Sequence, residues 1–301
     1  MTEQQLSFDL TETNSATLSS SAMLVELNIS QWAGNKQDKS ASKKVTADNN
    51  AKVGVARVNK SLLAGCATLE TIKKLTTEVR GFHAKQTLPW SDSGQRVVST
   101  QAYFEYHNTM TDYQSAFETA VNDFINDYHF EVAQMQATLG DLFDPNDYPS
   151  ETSLRNKFAF RLSYSPVPEV GDFRVDVPAE AMADLKTQYE ADMHHRMSTA
   201  MLDIWERCRK ALANMSERLD YTDKSSRKIF RDTLVDNVIE IVDIMRISNI
   251  TQDVHMTAVA DKLDRALRGV TPDGLREDAG LRREVKTSVD EVLKTLPSLD
   301  L

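Results

Sequence analysis

The chain has 301 residues, of which 35 are lysine or arginine and 45 are aspartate or glutamate, so its formal net charge is −10. This acidic balance disfavours a general binder of nucleic acid or of acidic membranes, although a local basic surface could still act in that way. The sequence contains no run of eighteen apolar residues and therefore predicts no membrane-spanning helix.

The N-terminal residues and the cysteines bear on the compartment. Residues 1–22 are rich in Thr, Ser, Gln and Glu and predict a flexible N-terminal arm. This arm lacks the basic start and apolar centre of a signal peptide. Cys66 and Cys208 fall in apolar stripes with helical spacing and predict buried thiols. We therefore expect a cytoplasmic protein.

The segment 23–178 predicts a strand, two long helices and a β-hairpin. Apolar and polar residues alternate over Met23–Ser30, as they do in a strand with one buried face. Ala51–Phe82 and Thr100–Leu142 carry apolar residues at every third or fourth position, which predicts two amphipathic helices. Alternation returns later and predicts a hairpin. Its two strands are Phe158–Tyr164 and Asp172–Val177.

The residues Asn35–Asn50 predict an exposed basic loop between the first strand and the first helix. A solvated connector is the simpler interpretation of such a charge run. Contact with nucleic acid is the alternative, and it would weaken steeply with salt. The lysines of the loop are Lys36, Lys39, Lys43 and Lys44, and Lys52, Arg57 and Lys60 would add to them.

The segment 179–301 predicts a long helix followed by a C-terminal helical region. An apolar stripe continues from Pro178 to Leu219, and about forty residues at 1.5 Å each would form a rod of roughly 60 Å. The stripe repeats at about eleven residues per three turns, which favours a straight rod over a left-handed coiled coil. Further helices are predicted at Lys228–Ile247, Gln252–Arg268 and Leu281–Leu296.

Together these elements predict an α+β fold that is mainly α. Long antiparallel helices would carry a small antiparallel sheet, made of a strand plus a hairpin, at one end. The segments 23–178 and 179–301 would form one continuous elongated unit, preceded by the flexible arm.

Glu190 and His194 are the candidate metal ligands. They lie four residues apart on the long predicted helix and would share one of its faces. Two ligands at this spacing are the minimum for a helical metal site, as in the HExxH pattern. The sequence places no third ligand, and an ordinary solvated pair is the simpler interpretation. No GxSxG, Walker P-loop, GxGxxG or CxxC motif occurs, so the sequence predicts no cofactor.

Trp32 and Trp90 are candidates for partner binding. Trp32 follows the first predicted strand, and Trp90 lies in a predicted turn between Pro89 and Asp92. A tryptophan in a loop either fills the edge of the core or anchors a partner. Core packing is the commoner outcome.

Three short motifs carry a resemblance to known proteins. They are LVELNISQWAG at 24–34, TLPWSDSGQR at 87–96 and DFRV at 172–175. These motifs resemble those of a family of phage and bacterial proteins that carry a domain of unknown function. Members of that family are often encoded near MoxR-type AAA+ ATPases and von Willebrand factor-like proteins. The resemblance implies a phage or mobile-element context and an AAA+ ATPase partner, and it carries over no catalytic residue.

The function that the sequence favours is that of a non-enzymatic, self-assembling structural or adaptor protein. Apolar stripes longer than one subunit can cover would be covered by other copies of the chain. A nucleic-acid-associated factor acting through the basic loop is the alternative. A metal-dependent enzyme built around Glu190 and His194 is the third hypothesis.

Overall fold

The computed structural model describes residues 19–168, 178–221 and 228–298. The protein is mainly α-helical with a four-stranded antiparallel sheet and a two-stranded sheet, which confirms the predicted α+β, mainly α class. The chain divides into two compact units. The first unit comprises the described residues of Met1–Glu26, Ala84–Tyr106 and Ser163–Leu301, and the second comprises Leu27–His83 and His107–Leu162. Most of the predicted flexible arm lies outside the described residues.

The four-stranded sheet contains the predicted first strand, β1 (Ala22–Ser30). β1 pairs antiparallel with β5 (Arg96–Ser99), so that Met23 lies opposite Val98 and Leu24 lies opposite Val97. The predicted hairpin is described only in its first strand, because Asp172–Val177 lies outside the described residues. In sheet order, the strands are β4 (Leu88–Pro89), β5 (Arg96–Ser99), β1 and β6 (Ala159–Pro166).

The strands β4 and β5 form a hairpin that the sequence analysis missed. Only a turn was predicted here, because Pro89 cannot donate a backbone hydrogen bond and was read as a breaker. The turn is closed by Trp90 N and Ser91 N, which both donate to Gln95 O at 3.2 and 3.1 Å. Gly94 has a φ of 93°, a left-handed conformation that glycine adopts without a steric penalty. The proline is tolerated because β4 is an edge strand.

Residues 35–66 fold differently from their prediction. The predicted basic loop is instead a strand and a helix, β2 (Asn35–Asp38) and α1 (Lys39–Asp48). A further strand, β3 (Val58–Ser61), replaces the start of the predicted helix Ala51–Phe82. Gly54 and Gly65 have φ values of 92° and 82°, which a right-handed helix excludes. The helical spacing of apolar residues before Ala67 was therefore misleading, and the helix, α2, spans only Ala67–Gln86.

Two helices and the residues between them form the core of the second unit. α2 contributes the buried Leu69, Ile72 and Val79. α3 (Tyr103–Leu139) is the predicted aromatic helix, and its Phe124 packs edge-on against Phe158 with ring centroids 5.7 Å apart. After α3 come two short 3₁₀ turns, Gly140–Leu142 and Pro145–Asp147. They are followed by α4 (Glu151–Arg155), whose first turn is capped by the side chain of Ser150.

Gly34 makes the turn between β1 and β2. Its φ is 68°, and a Cβ atom built there would lie 2.9 Å from Cδ2 of Leu69, a buried side chain. The Gly34 carbonyl accepts a hydrogen bond of 2.7 Å from Leu62 N. A left-handed backbone and close packing thus both require glycine at this position.

The first unit is a helical bundle built on the predicted long helix, α5 (Ala179–Leu219). α5 packs against strand β4 and against two later helices, α6 (Thr233–Ile247) and α9 (Ala279–Thr295). α7 (Val254–Leu267) and α8 (Pro272–Glu277) lie between these in sequence, and side chains of Asp253 and Thr271 cap their first turns. The buried face of α5 matches the predicted stripe over Met193, Met197, Met201, Trp205, Cys208, Leu212, Met215 and Leu219.

Among the described helices, none has both the length and the apolar character that crossing a lipid bilayer requires.

Two arginines bind the carbonyl groups at the C-terminal end of α2. Arg207 Nη2 donates to the carbonyls of Ala84 and Thr87 at 2.9 and 3.0 Å, and its Nη1 donates to Lys85 O at 2.8 Å. Arg96 donates to Thr87 Oγ1 at 2.6 Å and to Thr87 O at 2.7 Å. The last carbonyls of a helix have no partner within the helix and carry partial negative charge, so two cations satisfy them well.

Asp203 completes this arginine cluster. Its carboxylate lies 2.6 Å from Arg207 Nη2, one helical turn away on α5. Burial raises the pKa of Asp203, and the charge of Arg207 opposes that effect. Arg96 is also partly buried, and burial together with the nearby charge of Arg207 lowers its pKa. The carboxylate therefore reduces the repulsion between two arginines that bind the same carbonyl groups.

We expect Arg207→Ala to lower the free energy of unfolding by about 2–3 kcal/mol, because three carbonyls and Asp203 lose a charged donor. Chemical denaturation followed by circular dichroism measures this change. Arg246→Ala is the matched control, since Arg246 forms only surface ion pairs with Asp261 and Asp264 and should cost about 1 kcal/mol or less. Equal losses in the two variants would contradict the role of Arg207.

Candidate interaction surface

Residues Asn35–Ser61 form a small folded element that we call the basic module. β2 and β3 pair antiparallel with Lys36 opposite Lys60, and α1 lies between them in sequence. The Asp38 carboxylate caps α1 by accepting a hydrogen bond of 2.9 Å from Ala41 N, which lowers its pKa together with the hydrogen bond from Ser40. Ser42 Oγ donates to Asp38 O and accepts from Val58 N, so it ties α1 to both strands.

The carboxylate of Asp147 anchors the basic module to the segment that follows α3. Antiparallel pairing places Lys36 and Lys60 side by side, and Asp147 forms ion pairs with both, at 2.6 Å in the case of Lys60. Lys60 Nζ also donates to Leu142 O at 2.6 Å, and Tyr148 OH donates to Leu62 O at 2.8 Å. Both lysines therefore form ion pairs within the chain, although the side chain of Lys36, one of the predicted nucleic-acid contacts, remains 50% exposed.

The Asp147 side chain is only 4% exposed, and its environment sets its charge. Burial raises the pKa of Asp147, but the hydrogen bonds and charges of Lys36 and Lys60 outweigh burial, so the pKa lies below its ordinary value. In the sequence, Asp147 lies in a short polar segment between prolines, which is typical of a solvated loop. Its partners are remote in sequence, so no local pattern indicated the contact.

The remaining cations of the basic module point to solvent. Within the described ranges 19–168, 178–221 and 228–298, no carboxylate forms an ion pair with any of them. Lys39 is the first residue of α1, whose first turn contains no acidic residue, and it lies one turn from Lys43. Both arrangements weaken a helix, since a cation opposes the dipole at the N-terminus and like charges four apart repel. These exposed cations are Lys39, Lys43, Lys44, Lys52 and Arg57.

The outer surface of α3 has the opposite charge. The helix contains six carboxylates and neither lysine nor arginine. Asp123, Asp127 and Glu131 follow one another at four-residue intervals, so they form a row along one side of the helix. Phe130 lies beside this row and is 68% exposed. We call Asp112, Asp123, Asp127, Phe130 and Glu131 the acidic face; in the part of the chain that the structure describes, no cation pairs with its carboxylates.

The candidate metal ligands both lie on α5. Glu190 is exposed and His194 is half-buried. The described residues contain no group of three or more His, Cys, Asp or Glu side chains that could hold a metal ion. On the same helix, Asp192 and Arg196 form an ion pair at 2.7 Å.

Both tryptophan candidates pack inside the protein. Trp90 is 3% exposed and belongs to the core of the first unit. Trp32 is half-buried, and its ring lies 6.2 Å from that of Phe124 and 6.1 Å from that of Tyr128. Each tryptophan therefore fills an edge of the core, the commoner of the two predicted outcomes, rather than standing exposed as an anchor for a partner.

Cys66 and Cys208 are free and buried, as predicted. Burial raises the pKa of Cys208 to about 12, with Arg209 opposing the shift slightly. A thiol with so high a pKa is almost entirely protonated at neutral pH, and the protonated form is a poor nucleophile. We therefore expect neither buried thiol to act as a reactive nucleophile.

Comparison of the chain with models of protein families, with curated proteins and with solved structures gave no match. The resemblance to phage and bacterial proteins near MoxR-type ATPases stays a prediction. The two charged surfaces of the second unit are therefore the observations on which a function can be argued.

We expect Asp147→Asn to lower the free energy of unfolding by about 1–2 kcal/mol at pH 7, because Lys36 and Lys60 lose their shared charge. The native pKa of Asp147 is depressed, so the stabilisation is present above its unfolded pKa of about 3.9 and is lost as the pH falls further. The gap between wild type and variant should therefore narrow below about pH 4. Denaturation curves across pH test this, with the exposed Asp141→Asn as the control that should change little.

We expect neither thiol to react quickly with a disulfide reagent in the native protein at pH 8, because both are buried and Cys208 is protonated. Both should react at once in denaturant. Absorbance of the released reagent follows the reaction. Rapid release of one equivalent from native protein would contradict the buried positions of the thiols.

Proposed function

We propose that the protein is a non-enzymatic, self-assembling adaptor whose copies bind one another through oppositely charged surfaces. One observation carries the proposal. Within the second unit, the basic module has seven cations against two carboxylates, whereas α3 has six carboxylates and no lysine or arginine. Charges of opposite sign are thus gathered on separate surfaces of the same unit.

The energetics favour several weak contacts acting together. A pair of unit charges 4 Å apart contributes about 1 kcal/mol in water, and an exposed pair often contributes less. Three or more such pairs, with burial of the exposed Phe130, are needed for useful affinity. Electrostatic complementarity of this kind mainly raises the association rate and selects the partner. The resulting assembly should therefore depend on salt and on protein concentration.

Binding of nucleic acid is the second candidate function. The five exposed cations of the basic module, with no ion pair from the described residues, are the observation that favours it. The acidic face lies in the same unit and would repel a phosphate backbone that extended along it. The net charge of −10 adds to this repulsion. Self-assembly is therefore the better supported of the two.

The proposed origin, compartment and second partner of the protein rest on the sequence resemblance. It favours a protein of phage or mobile-element origin that acts in the cytoplasm of a bacterial host. A MoxR-type AAA+ ATPase would then be its second partner.

We expect the mass in analytical ultracentrifugation to rise with protein concentration at about 0.1 M salt and to fall to that of one chain at about 1 M. The Debye length shortens from about 10 Å to about 3 Å over this range, which weakens exposed charge pairs. A monomer at every concentration and at both salt levels would refute self-assembly. Fluorescence anisotropy with labelled single-stranded and duplex DNA, measured on the same samples, tests the second candidate.

A further inference from the structure

The spacing of the two sets of charges provides a way for two copies to fit together. Lys39 and Lys43 lie one turn apart on α1, which is about 6 Å along the helix axis. Asp123, Asp127 and Glu131 repeat at the same interval of about 6 Å on α3. A second helix laid beside α3 can therefore bring successive lysines to successive carboxylates. Lys44, next in sequence to Lys43, widens the cationic side of α1.

Phe130 gives the acidic face an apolar centre. Its ring is 68% exposed and follows Asp127 by three residues, on the same side of the helix. Long lysine side chains cover apolar surface with their methylene groups while the ammonium stays near water. An ammonium over an aromatic ring adds attraction of its own. The surface thus suits contact with a lysine-bearing helix better than contact with a phosphate backbone.

We infer that Lys39, Lys43 and Lys44 of one copy dock on Asp123, Asp127 and Glu131 of the next copy, with Phe130 covered between them. This inference rests on the proposed self-assembly and names its interface. A single contact of this kind joins two different surfaces, so it is heterologous and generates rings where the rotation closes and filaments where it does not. Two reciprocal contacts between the same two copies would instead form a two-fold dimer.

Within the described residues, neither the lysines of α1 nor the carboxylates of the acidic face form an ion pair inside one chain. Lys36 and Lys60 hold the module to Asp147, which lies beyond the C-terminal end of α3. Glu131 lies eight residues before Leu139, the last residue of α3, or about 12 Å along the helix. Each copy therefore presents a free donor surface and a free acceptor surface at the same time.

Charge reversal tests the inference directly. The basic variant is Lys39→Glu/Lys43→Glu/Lys44→Glu, and the acidic variant is Asp123→Lys/Asp127→Lys/Glu131→Lys. We expect each alone to associate about tenfold or more weakly than wild type in ultracentrifugation, which corresponds to about 1.4 kcal/mol or more. Mixing the two variants, or combining all six changes in one chain, should restore association, because opposite charges again face each other.

The control variant is Lys74→Glu/Lys186→Glu/Lys210→Glu, which reverses three exposed lysines on α2 and α5. It changes the net charge as much as the basic variant does and should associate like wild type. Circular dichroism verifies folding of every variant. Glutamate at position 39 favours α1, because a negative charge suits the N-terminus of a helix.

The possible outcomes distinguish failure of the proposed interface from failure of the proposed function. If wild type associates and all variants associate equally, self-assembly uses another surface and the inference is wrong. If wild type stays monomeric at every salt level, the proposed function itself fails. If wild type stays monomeric but binds DNA, and the basic variant loses that binding, the basic module is a nucleic-acid surface and both proposals are overturned.

Discussion

The carboxylate of Asp147 is the contact on which the charged surfaces of the second unit depend. Strand pairing places Lys36 opposite Lys60, and two ammonium groups held side by side repel each other. Asp147 removes this repulsion and fixes the basic module to the segment after α3 in the same contact. This shared carboxylate therefore helps to position α1 and its exposed lysines, together with the hydrogen bonds from Lys60 to Leu142 O and from Tyr148 to Leu62 O.

The first unit uses charge for a different purpose. Its bundle is held by apolar burial along α5, and the arginine cluster satisfies carbonyls that would otherwise be left at the end of α2. Arg207 is 21% exposed and Asp203 is 27% exposed, so both are partly desolvated. A partly desolvated pair costs little while both members are present and leaves an uncompensated charge when one is removed. Polar groups there maintain a fold, whereas Lys39, Lys43 and Lys44 and the carboxylates of the acidic face form no ion pair within the described residues.

The parts of the fold that could be predicted from the sequence are those set by local periodicity. The stripe on α5, the aromatic face of α3 and the alternation in β1 each repeat over many residues, so a few exceptions do not hide them. Residues 51–66 show the limit of that argument. Their apolar spacing is helical, but left-handed conformations at Gly54 and Gly65 make a helix impossible.

The candidate site was harder to predict because it depends on contacts between distant residues. Lys36 and Asp147 are 111 positions apart, and nothing near either residue distinguishes Lys36 from Lys39 or Lys43. Sequence reasoning therefore grouped all these lysines together. A signal for the acidic face was present in the sequence, since α3 contains six carboxylates and neither lysine nor arginine, but the analysis of this helix considered only its apolar spacing. Burial of Trp90 likewise depends on the hairpin β4–β5, which the proline concealed.

Gly34 has a consequence for how this protein can change during evolution. Its left-handed backbone and its packing against Leu69 fix the direction in which the chain enters β2, and Asp147 fixes the strands that follow. None of Lys39, Lys43 or Lys44 takes part in these contacts. Mutations at the three lysines can therefore change the charge of this surface without moving it, so the surface could diverge among related proteins while the backbone beneath stays the same.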